Sequence, residues 1–385
     1  MIRNRELELY VHIPFCVRKC AYCDFLSAPA DDVTIENYVS ALIVEIRAHG
    51  INGRKKVSTI FIGGGTPSVL STEQIRRIFD AIFENFEVSN DAEITIEANP
   101  GTLTEKKLQT YLDCKINRIS FGLQSTSNEE LKLLGRIHSF EEFVKNYNLA
   151  RKCGFQNINV DLISAIPGQT VESWKKTLCD VLELQPEHLS AYSLIIEEGT
   201  PFAKQYGEGC EKESMLPDEE AERQMYHITD SILQKAGYHR YEISNYAKAG
   251  YECRHNLGYW ERVPYLGIGL GAASLTTDNV RYHNVTDLKT YIEHSADLKF
   301  IQTDVEELSV KETMEEVIFL GMRKMEGVSI LEFETIFGKN LRECYGDNLD
   351  KMISQRLIEE KQGYLRLTKA GIDVSNQVFA EILFN

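Results

Sequence analysis

Short runs rich in β-branched and aromatic residues alternate with longer amphipathic stretches over roughly the first 240 residues. The spacing predicts strands over 7–13 (LELYVHI), 57–63 (VSTIFIG), 92–98 (AEITIEA), 118–124 (RISFGLQ), 157–163 (NINVDLI) and 188–196 (HLSAYSLII). Between the first two, 34–50 (TIENYVSALIVEIRAHG) carries apolar residues at helical spacing and ends on Gly50, a residue suited to stopping a helix. The next helical stretch, 71–86, opens on Ser71 and Thr72, whose short side chains accept from the free amides of a first turn. Strand then helix, six times over, implies parallel strands joined by crossovers. The expected fold class is α/β, an incomplete (β/α)6 TIM-like barrel, with a doubly wound sheet as the other arrangement that six units allow. In both, function sits at the C-terminal ends of the strands. There the chain places GGGTP (63–67), EANP (97–100), Gln124 and DLISAIPGQ (161–169).

The pattern changes after Gly237. Residues 238–300 are rich in Tyr and Gly and include HNLGYW (255–260) and GIGLGAAS (267–274). From 301 to 385 the pattern is mainly helical, with one short β-like run, GYLRLT (363–368). The expected organisation is therefore a barrel over 1–237, an extension over 238–300 and a small C-terminal domain over 301–385. GIGLGAAS has the wrong glycine spacing, and the wrong place in the chain, for a dinucleotide fingerprint. It reads instead as a loop packed against the barrel mouth.

Composition narrows the function. A net charge of −16 over 385 residues argues against nucleic acid as a main partner, since phosphate contacts need a basic surface. No secretory h-region opens the chain, and no run is long and apolar enough to span a membrane, so a cytoplasmic location is expected. Nine cysteines, an odd number, fit a reducing compartment better than a disulfide framework.

Three of those cysteines, Cys16, Cys20 and Cys23, fall in one loop at C-x3-C-x2-C spacing, with Phe25 where a fourth might be sought. Such thiolates bind zinc or an iron–sulfur cluster. Structural zinc wants four ligands, and the chain has no second C-x2-C. A [4Fe–4S] cubane held by three thiolates keeps one iron open.

Cysteines at this spacing after a first strand of βα type resemble the radical S-adenosylmethionine (SAM) superfamily. The resemblance implies a [4Fe–4S] cluster on Cys16, Cys20 and Cys23, with SAM chelated at the open iron. It also implies SAM contacts from the glycine-rich segment Gly64, Gly65 and Thr66, and from Glu97, Gln124, Arg136 and Asp161, each in a matching local motif (IEANP, FGLQS, LGRIHS, NVDLI). Carboxylates suit ribose hydroxyls and a sulfonium, and Arg136 suits a carboxylate. Tyr10 and Tyr22 flank the loop; packing on the cofactors and a plain core role both remain open. His12 reads as structural.

YVHIPFC, GGGTPS, FGLQS, DLISAIPGQT and FLGMRKMEGVS extend the likeness to the HemN/HemW group over nearly the whole chain. One branch, oxygen-independent coproporphyrinogen III oxidase, has a further cysteine where this chain has Phe25, and a long N-terminal arm where only nine residues precede Tyr10. The haem-chaperone branch carries H-N-x-x-Y-W, present here as His255, Tyr259 and Trp260. That resemblance implies haem as cargo, delivered to respiratory haem proteins, with His255 or Cys253 as candidate ligand. A hydrogen-bonded core histidine is the alternative for His255. Residues 235–262 hold five Lys/Arg against three acids, which makes Arg254 and Arg262 candidate partners for haem propionates. Peripheral membrane contact and a homodimer are left open.

Overall fold

The computed structural model describes residues 6–51 and 53–383. Six parallel strands form its centre: β1 (Leu7–Ile13), β2 (Lys56–Gly64), β3 (Glu87–Ala98), β4 (Arg118–Gln124), β5 (Ile158–Ser164) and β6 (His188–Ser193). The helices between and after them begin on short polar caps. Asp31, Ser71, Thr104, Ser139, Thr170 and Asp218 each accept a first-turn amide through the side chain.

The sheet continues at both ends. Beyond β6 lie β7 (His239–Arg240) and β8 (Asn245–Ala247), with β8 antiparallel to β6. Beyond β1 lie β9 (Tyr265–Ile268), β10 (Ala273–Leu275), β11 (Val280–Asn284) and β12 (Gln302–Glu307). Residues 238–300 thus extend the barrel sheet, and β12 carries it on to Glu307. One apolar core runs from Leu9 to Ile301, and a second gathers residues from Met314 to Ile382 around β13 (Val328–Ser329), β14 (Ile358–Lys361) and β15 (Tyr364–Leu367).

A parallel sheet covered on both faces ordinarily reads as a continuous apolar run. These six strands alternate instead. Leu9, Val11, Ile60, Ile62, Ile94, Ile96, Ile119, Phe121, Val160 and Leu162 are buried in the main apolar core. The intervening positions include Glu8, Thr59, Glu93, Thr95, Arg118, Ser120, Asn159, His188 and Ser190, all buried as well. All six strands contribute residues of this second set to one central cavity, so the sheet is curved around a polar interior. That interior is the second consequence of the alternating pattern, and it is where the chemistry lies.

Candidate functional site: a three-cysteine loop above a polar chamber

Cys16, Cys20 and Cys23 lie in the loop after β1 and are partly exposed. Three sets of contacts hold that loop. Cys16 N–H donates to Ala28 O at 3.2 Å, and Ala28 N–H donates to Pro14 O at 2.9 Å. The Ala21 amide donates to Leu134 O at 3.0 Å, and the Arg18 guanidinium reaches Gly135 O at 2.6 Å. His12 Nε2 donates to Leu26 O at 2.9 Å, which leaves Nδ1 to accept from Tyr10 Oη at 2.9 Å. His12 is thus the structural tie expected of it, and burial holds its imidazole below the ordinary range.

The glycine-rich segment packs directly beneath the loop. Gly65 N–H donates to Ile13 O, and Thr66 N–H donates to Phe15 O at 2.7 Å. A Cβ on Gly65 would stand 2.7 Å from Phe15 O and 3.0 Å from Cys16 Sγ. Thr66 Oγ1 lies 3.5 Å from the same sulfur. Arg136 reaches the loop from the other side: its Nη1 is 3.5 Å from Cys20 Sγ, while its Nη2 donates to Asn99 Oδ1 at 2.7 Å and to Gly122 O. Tyr22 packs edge-on against Phe202, beside Arg136. Gln124 ends β4 in the left-handed region, φ 75°, and is buried there.

Below lies a chamber of about 210 Å³, lined by Tyr10, Phe61, Glu97, Asp161, Tyr192 and others. Glu97 accepts the Gly64 amide at 3.0 Å; burial, reinforced by the nearby Asp161 charge, pushes its carboxyl up to about 8. Asp161 accepts from Ser120 Oγ at 3.1 Å and from Asn159 Nδ2 at 2.8 Å, and burial raises it too. Of the residues expected to meet SAM, Tyr10, Glu97 and Asp161 therefore share the chamber. Gly65, Thr66, Arg136 and Tyr22 gather at the cysteine loop.

The floor of the chamber is the helix Arg254–Trp260, inserted among β1, β2 and β3. His255, 1% exposed, pairs through Nδ1 with Thr59 Oγ1 at 2.7 Å and through Nε2 with Tyr259 Oη at 3.1 Å, and stacks on Phe61. Gly258 lets the helix close on β1, since a Cβ there would overlap the Glu8 carboxyl. Trp260 turns away from the chamber, its ring under Arg323 of the C-terminal domain. The motif is therefore divided: His255 and Tyr259, one turn apart, face the chamber, and Trp260 faces the domain junction. Cys253 is fully buried, its Sγ 3.4 Å from Glu93. Arg254 bonds Asp91 O at 2.7 Å on the strand's N-terminal side, and buried Arg262 is held by Glu316 at 2.8 Å and Asn279 at 2.9 Å.

His255 and Glu8 stand 3.9 Å apart, close enough for an ion pair, yet both are pushed toward their neutral forms. Burial, then the Arg118 charge, takes His255 down to about 3; burial, then the Glu93 charge, takes Glu8 up to about 9. With both side chains almost dry and Arg118 opposing a second cation, the neutral pair is the physical one. A carboxyl raised in the fold favours folding below its unfolded value and loses that stabilisation as pH rises through the folded one. Glu8→Gln should therefore flatten the fall in stability between pH 6 and 8.5 by more than about 1 kcal/mol, at about 1.4 kcal/mol per pK unit. Urea midpoints at the two pH values check this. Equal falls in both proteins would show Glu8 to be ionised already.

With this geometry in view, comparison with known proteins decides the family. The radical SAM superfamily model matches residues 10–181 and the HemN C-terminal domain model matches residues 308–374. A Lactococcus lactis protein named heme chaperone HemW is 38% identical over 376 residues, covering 98% of this chain and 97% of its own. The Escherichia coli protein of the same name is 36% identical, covering 96% of each chain. The chain belongs to the HemW family of the radical SAM superfamily. A solved structure of E. coli coproporphyrinogen III oxidase (HemN), described as a radical SAM enzyme, superposes with a TM-score of 0.86 at 24% identity, covering 99% of this chain and 90% of that one. That likeness establishes the fold of this HemW-family chain. Sequence reasoning missed Glu8, Glu93 and Arg118, buried ionisable side chains of the barrel interior. The signal available was their parity: each shares an alternate-residue register with the polar positions of its own strand.

Proposed function

We propose that this chain holds a [4Fe–4S] cluster on Cys16, Cys20 and Cys23, binds SAM between the cluster loop and the chamber, and carries haem to a haem-receiving respiratory protein. The observation that carries the reading is the junction of the three-thiol loop with the chamber of Glu97 and Asp161. Gly65 leaves free the space beside Cys16 that a side chain would fill, and Arg136 sets a positive charge beside Cys20. Both suit an anionic cluster. When bound, such a cluster supplies an electron and an open iron for the amino and carboxylate groups of SAM. The chain's own residues hold and orient. Glu97, with its carboxyl at about 8, is protonated at neutral pH and presents both a donor and an acceptor. Asp161 keeps its acceptors fixed by Ser120 and Asn159.

For haem, two features support the reading. His255 and Tyr259 offer an imidazole and an aromatic face at the chamber floor. Ligation by His255 through Nε2 would require its bond to Tyr259 to open, while the Nδ1 bond to Thr59 could stay. Around the mouth, at the ends of β1 and β6 and after Arg136, stand Val17, Phe25, Leu26, Ile137, Tyr192 and Ile195, all exposed. An apolar rim of this kind suits a flat macrocycle. Phe25, 64% exposed, occupies the position of the oxidase branch's extra cysteine.

Protein purified without oxygen should be brown and carry about four irons per chain. Added haem should give a shifted Soret band, lost in His255→Ala if His255 is the ligand. Reduced protein with SAM and coproporphyrinogen should form no protoporphyrinogen. Colourless, zinc-loaded protein, or turnover of coproporphyrinogen, would overturn the reading.

A further inference from the structure

Arg118 opens β4 and is 1% exposed, yet among the described residues its Nε has no hydrogen-bond partner and no carboxylate stands within ion-pair distance of its guanidinium. The nearby acids are engaged elsewhere. Glu93 accepts from the floor helix and Asp161 from Ser120 and Asn159, so both act on Arg118 only through space. Its cross-strand neighbour Thr95 also buries an unpartnered Oγ1. Burying that Nε without a partner is unfavourable, and the rest of the guanidinium faces the chamber.

The group lines the chamber together with the neutral donors and acceptors Ser120, Asn159 and Ser190, and with the carboxyls of Glu97 and Asp161, both of which burial pushes toward the neutral form. Its planar fork matches a carboxylate, which it can bind through two parallel bonds. At about 210 Å³ the chamber lies below the usual 300–1,000 Å³ of pockets that enclose whole drug-sized ligands. It has room for a flexible acid arm and none for a macrocycle. Tyr192, which lines the chamber and is 41% exposed, connects it to the apolar rim.

We propose that Arg118 is the receptor for a carboxylate arm of the bound tetrapyrrole, drawn into the barrel while the ring stays at the rim, out of reach of His255; this rests on the haem-carrier reading above and not on ligation by His255. It assigns the selection of propionate-bearing tetrapyrroles to a residue inside the barrel, in place of Arg254, whose side chain turns to Asp91, and Arg262, held by Glu316 and Asn279.

The test compares haem with haem dimethyl ester, whose arms carry no charge, on the full-length protein by Soret titration. Wild type should bind haem roughly tenfold or more tighter than the ester, the loss expected for one desolvated charge-assisted contact. Arg118→Gln should bind both at the ester level, and Arg118→Lys, which keeps the charge and loses the fork, should lie between. Because Arg118→Gln removes a buried charge, its fold is checked by circular dichroism; wild type alone already overturns the proposal if it binds haem and ester equally. Discrimination that survives intact in Arg118→Gln also overturns it and leaves the haem reading standing. If wild type binds neither porphyrin, sodium propionate decides. A saturable rise in Tm with propionate over sodium chloride at equal ionic strength, absent in Arg118→Gln, keeps the carboxylate receptor while the tetrapyrrole reading falls. An equal response to both salts overturns the receptor as well.

Discussion

Glu93→Ala should destabilise the protein by about 3–5 kcal/mol, the scale on which removing one partner from a buried charged network acts. Glu93 projects from β3 into the barrel, and among the described residues its hydrogen bonds go to the start of the floor helix. Its carboxylate accepts the amides of Arg254 at 3.1 Å and His255 at 3.2 Å and meets Cys253 Sγ at 3.4 Å. The helix has no side-chain cap of its own, because Cys253 stands at its N-cap position. The buried His255 amide has no water to turn to once the carboxylate is gone, and the part-buried Arg254 amide loses its acceptor as well. Arg118 would at the same time lose a compensating charge. Urea denaturation measures the effect. A loss below about 1 kcal/mol would show that the floor helix is held by apolar packing instead. Glu93→Gln, which retains one accepting oxygen, should fall between the two.

The same contact explains what could be read from the chain and what could not. The six central strands were legible because their core-facing residues alternate over five or more positions and the helices between them start on Ser, Thr or Asp caps. The strands from β7 to β12 were not, because they run for only two to six residues among Tyr and Gly, too short to display a period. The polar half of each strand posed a harder problem. Thr59, Glu93 and Asn159 look like the solvent face of a half-exposed sheet. Glu93 and Thr59 meet a helix about 160 and 200 residues further along the chain, and Asn159 meets Ser120 and His188 on neighbouring strands, so their partners are invisible in any local window. His255 and Tyr259, four residues apart, share a helical face by spacing alone, and Trp260 leaves it by the same arithmetic. That division of the HNLGYW motif was therefore implicit in the sequence once the segment was known to be helical.

The cysteines and the glycine segment were legible as motifs, yet the reason for Gly65 is steric and appears only in three dimensions. Gly65→Val should strip iron from anaerobically prepared protein, leaving well under one iron per chain, while the rest of the fold survives. The Cβ of any residue at position 65 meets a backbone carbonyl, Phe15 O at 2.7 Å, and the sulfur of Cys16 at 3.0 Å. Of the two obstacles, the carbonyl is the firmer. It accepts the Thr66 amide at 2.7 Å, and the loop behind it is tied to Ala28 and Leu26. The sulfur is the softer one and gives way first, which carries Cys16 off its position. A branched side chain adds two further methyl groups in the same space. The strand itself is unaffected, since the backbone of Gly65 keeps its bond to Ile13 O and avoids the left-handed region that Gly64 occupies at φ 112°. The expected signature is thus a colourless protein with native circular dichroism and a lowered urea midpoint, since the Phe15 carbonyl must also shift. Gly65→Ala should lose less of the cluster than Gly65→Val, although its methyl carbon already meets the Phe15 carbonyl at 2.7 Å and forces the backbone there to shift. Full iron content in Gly65→Val would mean that the sulfur of Cys16 points elsewhere when the cluster is bound, and the steric basis for the glycine would be lost.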